Sequence, residues 1–150
     1  MCRLSAAVGI AVLLVAGGLY AADRAPASPD DLKKVCGEAL TQISRGEPQG
    51  YDVIKKHMLS TFWESSGQKW EDAVKTTSDQ VRWYNDTFGA FLGLELVEET
   101  KVGNSLRKYA YVANYEKAPT RWEVVVYRPR EEWKILAWKV SDDLDFLFKK

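Results

Sequence analysis

LRKYAYVANYEKAPTRWEVVVYRPREEWKILAWKV, residues 106–140, decides the fold of this chain. It contains runs at 106–115, 121–128 and 133–140 that are rich in Val, Tyr, Trp and Ile, side chains suited to a pleated, half-buried surface. A run of similar texture, 95–102, comes before them. The links are short: Gly103-Asn104, Lys117-Ala118-Pro119 and Pro129-Arg130-Glu131. Links of that length leave no room for a crossover, so neighbouring strands run antiparallel, as a meander.

Alternation orients these strands. In the second, Tyr109, Tyr111, Ala113 and Tyr115 share one face, and Lys108, Ala110, Val112 and Asn114 the other. In the third, Trp122, Val124 and Val126 oppose Glu123, Val125 and Tyr127. In the fourth, Leu136, Trp138 and Val140 oppose Trp133, Ile135, Ala137 and Lys139. Neither face is cleanly polar, so the sheet is expected either to curl around a pocket or to lay one face on a partner.

Upstream, the apolar period lengthens to that of a helix. Leu32, Val35, Cys36, Ala39, Leu40 and Ile43 form one stripe, capped by Asp30 or Asp31 and stopped by Gly46-Glu47-Pro48. Val53, Ile54, His57, Met58 and Phe62 would share a side of a second helix starting near Tyr51. Ser65-Ser66-Gly67 is a break. A third helical segment runs from Lys69 to Phe88, and Thr76-Thr77-Ser78-Asp79 is read as an internal cap that divides it. Residues 89–93, GAFLG, read as a turn-rich link into the sheet. The tail opens on Ser141-Asp142-Asp143 and ends in two lysines, the charge order of a short C-terminal helix. The fold class is α+β: N-terminal helices packed on a curved antiparallel meander of four strands.

The N-terminus reads as an address. Arg3 flanks a run of apolar and small residues, and Leu19-Tyr20-Ala21-Ala22 presents small side chains where signal peptidase cuts. The expected organisation is a signal peptide over 1–22, a flexible Pro-containing leader over 23–30, and one domain over 31–150. The product would be periplasmic or secreted, with no stable membrane anchor; an uncleaved N-terminal anchor is the alternative. Cys2 precedes the apolar run, so it is not a lipidation site, and cleavage leaves Cys36 alone. One thiol makes no internal disulfide, and beside Val35 it reads as a small buried apolar residue.

The chain carries 21 basic and 21 acidic side chains, and only Arg3 among them lies before residue 23. The domain is therefore close to neutral, which argues against electrostatic nucleic-acid binding, since that needs a basic surface. No Gly-rich phosphate loop, G-x-S-x-G, C-x-x-C or internal repeat occurs, which removes the common nucleotide, hydrolase and redox classes. No cofactor is implied. Asp142, Asp143 and Asp145 cluster, but a calcium loop needs more oxygens and a glycine, so no metal is expected.

The candidate ligand-binding set is aromatic: Tyr109, Tyr111, Tyr115, Trp122, Tyr127 and Trp138. Each alone is core filling; together on a curved sheet they would line a cavity with phenol and indole donors. The candidates for acid–base chemistry are His57, the only histidine, and Asp86, beside a buried Tyr. Lys108, Lys117, Arg121, Arg128 and Arg130 are expected to pair with Glu116, Glu123 and Glu131 on the solvated face.

Tyr111 to Glu116 (Y-x-x-x-Y-E), Trp122 to Pro129 (W-x-x-x-x-Y-x-P), and the stretch from Trp133 through the Asp142-Asp143 turn resemble the NTF2-like superfamily, in particular its small secreted bacterial members of unknown function. The resemblance covers most of residues 31–148. It implies a cone-shaped, cystatin-like α+β domain, a curved sheet around a long helix, whose mouth holds a small molecule. The superfamily also contains isomerases and dehydratases with an Asp, Tyr or His inside the cone, but their catalytic residues do not map onto this sequence position by position. Three functions follow as expectations: a non-catalytic exported domain binding a small apolar or amphipathic ligand or a protein partner, an isomerase- or dehydratase-like enzyme, and a structural homodimer joined through the sheet.

Overall fold

The computed structural model describes residues 26–60, 64–65, 67 and 69–145. The signal peptide over 1–22, Phe62, and the end of the tail from 146 lie outside the described residues. Among the described residues, helices α1 (Pro29–Ser44), α2 (Gln49–His57) and α3 (Trp70–Phe88) precede strands β1 (Phe91–Val102), β2 (Leu106–Tyr115), β3 (Thr120–Tyr127) and β4 (Lys134–Ser141). The strands form one antiparallel sheet in the order β1-β2-β3-β4, which is the expected α+β meander and not a closed barrel.

Helix α1 starts earlier than expected, inside the supposed leader. Ser28, not Asp30 or Asp31, is the N-cap: its hydroxyl accepts from the Asp31 amide at 3.1 Å, and the Asp31 carboxylate accepts from the Ser28 amide at 3.1 Å. This capping box satisfies orphan donors at both residues, and Pro29 follows where no amide is needed. The other end is a Schellman motif. The Glu47 amide donates to Gln42 O at 2.9 Å and the Gly46 amide to Ile43 O at 2.8 Å, with Gly46 at φ +81°. Between these ends the expected stripe is buried: Leu32, Cys36, Ala39, Leu40 and Ile43.

Helix α2 crosses α1 closely at Gly50. A Cβ there would stand 2.5 Å from Ala39 O and 2.7 Å from Ile43 Cγ1, so only glycine fits. Helix α3 is unbroken, which corrects the internal cap read at residues 76–79. Thr77 is buried in mid-helix and its hydroxyl accepts from Trp138 Nε1 at 3.4 Å, so packing against β4 overrides the local capping tendency.

Strand β1 begins at Phe91, so only Gly89 and Ala90 of the expected link lie outside the strand, and Phe91, Leu92 and Gly93 belong to it. Two bulges interrupt its pairing with β2, one at Leu92 and one at Val97. A third bulge, at Leu136, puts Ile135 on the same face as Trp138 and Val140 and corrects the simple alternation read for this strand. The helix-facing side of the sheet carries Tyr109, Tyr111, Trp122, Val124, Val126 and Ile135, all buried against Leu32, Leu40, Ile43, Ile54, Val81 and Tyr84. On the outer side Glu123 pairs with Arg121 and, at 3.5 Å, with Lys108. The expected pairing thus holds there, whereas Arg128 lies instead over the Trp133 ring at 5.4 Å. After β4, the Asp143 amide donates to Ser141 Oγ at 3.0 Å and the Asp145 amide to Asp143 Oδ1 at 2.9 Å. These are side-chain turns; Asp145 enters a 3-10 turn, and the rest of the expected C-terminal helix lies outside the described residues.

Candidate functional site

The tyrosines of β2 point their hydroxyls at α1. Tyr109 Oη donates to Pro29 O at 3.0 Å and Tyr111 Oη to Lys33 O at 3.0 Å, at the first turns of the helix. Tyr115 Oη donates to Ser44 O at 3.4 Å, at its last residue. Burial pushes all three phenols up, so they stay protonated and remain donors. Trp122 donates its indole N–H to Ser44 Oγ at 3.1 Å, deep in the core. Ser44 O also accepts from Asn85 Nδ2 at 3.1 Å. The donors expected to greet a ligand are thus bonded along α1. Four of the six aromatic candidates are buried together under that helix: Tyr109, Tyr111, Tyr115 and Trp122.

Trp138 is half-buried on the same face, edge-on to Trp70 with ring centroids 5.3 Å apart. Tyr127 pairs with Leu106 and Lys134 on the outer side, away from the others. The structure therefore brings Trp138 close to the four under α1 and leaves Tyr127 apart.

The acid–base candidates stand on different helices. His57 ends α2 and is buried; burial, with Lys56 and Lys134 nearby, lowers its pKa and holds the imidazole neutral. Asp86 is exposed on α3. Neither lines either of the two clefts described below. Cys36 is fully buried, and desolvation pushes its thiol up to about 12, which leaves it unreactive. Among the described residues no group of three or more His, Cys, Asp or Glu could hold a metal ion, and no helix is long and apolar enough to cross a membrane.

Two clefts remain. One is a groove between α1 and β1, with a volume of about 500 Å³, floored by Tyr111 and Gly37 and walled by Thr41, Leu94 and Leu96. Charged Lys34, Glu38 and Arg45 stand around it. The other, about 340 Å³, lies where the end of α1 meets α2 and α3, around Ile43, Tyr51, Val81 and Arg82.

The groove adjoins a sheet edge that is open among the described residues. As the first strand of the meander, β1 is an edge strand, and Leu92, Leu96, Val97 and Val102 on it are exposed. Among the described residues only Trp83 adds another exposed large apolar side chain. The opposite edge, β4, is partly covered: the Leu59 amide donates to Ile135 O at 2.8 Å, and Met58 bridges Ile135 in parallel. The expected first strand, 95–102, already contains Leu96, Val97 and Val102; reading residues 89–93 as a link leaves out Leu92 and Leu94. Sequence reading missed the three-helix cleft because residues 43, 51 and 81 come together only in the fold.

Comparison with known proteins gave no match: no protein-family model, no curated protein and no solved structure is similar to this chain.

Proposed function

We propose that this chain is an exported, non-catalytic binding domain that takes an extended segment of a partner protein along the open edge of β1. The observation that carries the reading is the asymmetry of the sheet edges. The β4 edge is hydrogen-bonded by residues 58–59, whereas β1 runs 12 residues with exposed Leu92, Leu96, Val97 and Val102. An edge strand presents a row of unpaired amides and carbonyls, and an added strand satisfies them. The groove beside it, with Leu94, Leu96 and Tyr111, would receive alternate side chains of that strand. Backbone pairing would supply affinity and the groove selectivity. The bulges at Leu92 and Val97 limit indiscriminate sheet growth and leave a short regular stretch between them.

Export is proposed from the apolar N-terminal run and its small residues at 21 and 22. Membership of the NTF2-like superfamily stays a proposal on the motifs of β2, β3 and β4. The non-catalytic reading is supported by the separation of His57 from Asp86 and by the commitment of the sheet tyrosines to α1.

Panning a random linear peptide library against the purified chain, then titrating a selected peptide by two-dimensional NMR, tests the binding claim. The expected shifts lie on β1 amides and on Gly37, Thr41 and Tyr111. Leu96→Lys should weaken binding roughly tenfold or more, the worth of one buried leucine. Shifts confined to the outer sheet face would refute the reading. A dimer in sedimentation whose interface is β1 would replace it with self-association. For export, mass spectrometry of the protein from its host should find an N-terminus near residue 23; an intact Met1 in the membrane fraction would refute cleavage.

A further inference from the structure

We infer that the cleft where the C-terminal end of α1 meets α2 and α3 is a binding site for a small organic anion, a carboxylate or phosphate group carried on an apolar body. The walls are Ile43 and Val81, each 2 % exposed, and the ring of Tyr51, 8 % exposed. They are apolar and already dry. The volume, about 340 Å³, lies at the lower end of the range for small-molecule sites.

The polar side chains that line it are Tyr51, Ser78, Asn85, Arg45 and Arg82. The Tyr51 hydroxyl is buried without a hydrogen-bond partner. Ser78 is close enough to influence its titration but does not meet hydrogen-bond geometry. Burial pushes this phenol up to about 12, so it remains a donor at any physiological pH. A hydroxyl buried unpaired costs on the order of 1–3 kcal/mol, and an acceptor inside the cleft would remove that cost. Arg45 and Arg82 also line the cleft, the Arg45 guanidinium lying 5.9 Å over the Phe91 ring, which leaves its edge N–H groups to donate. Asn85 contributes shape more than donors, because its amide nitrogen already serves Ser44 O and Val81 O.

Two features oppose an anion, and both are weak. Asp79 pairs with Arg82 at 3.6 Å, but the pair is exposed and long, so an incoming anion can displace it. The C-terminal end of α1 carries partial negative charge. Its last carbonyls are occupied, though: Gln42 O by the Glu47 amide, Ile43 O by the Gly46 amide, and Ser44 O by Tyr115 and Asn85. No carboxylate lines the cleft among the described residues. A buried donor, apolar walls and two cationic side chains in one cleft match the two ends of an amphipathic anion.

This site is distinct from the β1 groove and does not depend on the strand-edge reading. Arg45 borders both clefts, so the test reads Tyr51 and Arg82. The purified chain is titrated with octanoate and octyl phosphate, and with octanamide, octylamine and inorganic phosphate as controls, by two-dimensional NMR. The two amphipathic anions should shift Ile43, Tyr51, Val81 and Asn85. Tyr51→Phe should weaken them about tenfold, the loss of one hydrogen bond to a charged group, while the fold stays intact because the ring is kept. Arg82→Gln, on the surface, should weaken them severalfold. Octanamide binding as tightly as octanoate would overturn the proposal, and so would absence of binding by both anions. Shifts centred on Leu94, Leu96 and Tyr111 would move the ligand to the other groove and overturn this site while leaving that one standing.

Discussion

Ser44→Ala is the sharpest test of how this fold is held together. Ser44 and Trp122 are each 0 % exposed, and the serine hydroxyl accepts the indole N–H at 3.1 Å. Alanine removes the acceptor and leaves that N–H buried and unpaired, a cost of about 1–3 kcal/mol. The change also has a gain, since alanine is the better helix former, by roughly 0.5 kcal/mol. The bonds of Tyr115 and Asn85 go to the Ser44 main-chain carbonyl and survive. The net expectation is a loss of about 1–2 kcal/mol, measured by equilibrium urea unfolding followed by tryptophan fluorescence. For a domain of this size that lowers Tm by roughly 3–10 °C. Tyr115→Phe is the internal control. Its hydroxyl is 3.4 Å from the carbonyl, and Asn85 at 3.1 Å remains after it goes. It should cost less than Ser44→Ala, under about 1 kcal/mol. In a Trp122→Phe background Ser44→Ala should become nearly neutral, because the donor is gone. A Ser44→Ala protein as stable as its parent, or a loss unchanged by Trp122→Phe, would refute the idea that Ser44 joins helix to sheet.

Other expectations are cheaper to check. Gly50→Ala should destabilise by about 1–3 kcal/mol in the same urea assay, because its Cβ meets Ala39 O at 2.5 Å and α2 must back away from α1; unchanged stability would mean the helices do not cross there. His57 has a folded-state pKa below its ordinary 6.5. The unfolded chain therefore binds more protons, and stability should fall as pH drops through 6.5 toward 5. His57→Gln should flatten that slope. The carboxylates whose pKa is lowered, Asp30, Asp79 and Glu132, act at lower pH and leave this window clear. Cys36 should resist iodoacetamide in the native protein and react once urea unfolds it, as read by peptide mapping; rapid native labelling would contradict its burial.

The elements that could be read in advance were those in which one periodic signal dominates. Strand β2 lies where its alternation put it, residues 106–115, and the α1 stripe is buried as spaced. Errors arose where two local readings were chemically equivalent. Ser28, Asp30 and Asp31 are all good caps, and what selects Ser28 is Asp31 three residues on, whose carboxylate returns to the Ser28 amide. Ile135 and Leu136 are both apolar, so composition could not reveal which one bulges. Thr76-Thr77-Ser78-Asp79 has true capping chemistry, but Thr77 faces Trp138 across the core. At Ser28 a local partner three residues on broke the tie, and at Thr77 a tertiary one did.

The aromatic set shows the same limit at the level of function. A buried phenol needs an acceptor, and the sequence says so, but it does not say whose. Here the acceptors are Pro29 O and Lys33 O at one end of α1 and Ser44 O at the other. A hydroxyl bonded to main chain adds rigidity and has one donor fewer to offer a ligand. Recognition by this domain therefore has to come from groups the fold leaves unspent. Among the described residues these include the backbone edge of β1, with the unpartnered Gln42 Oε1 in the groove beside it, and the unpaired Tyr51 hydroxyl in the cleft that Arg45 and Arg82 also line. The first suits an extended chain and the second a small anion. The tyrosines of β2 hold α1 in place to form one wall of each cleft.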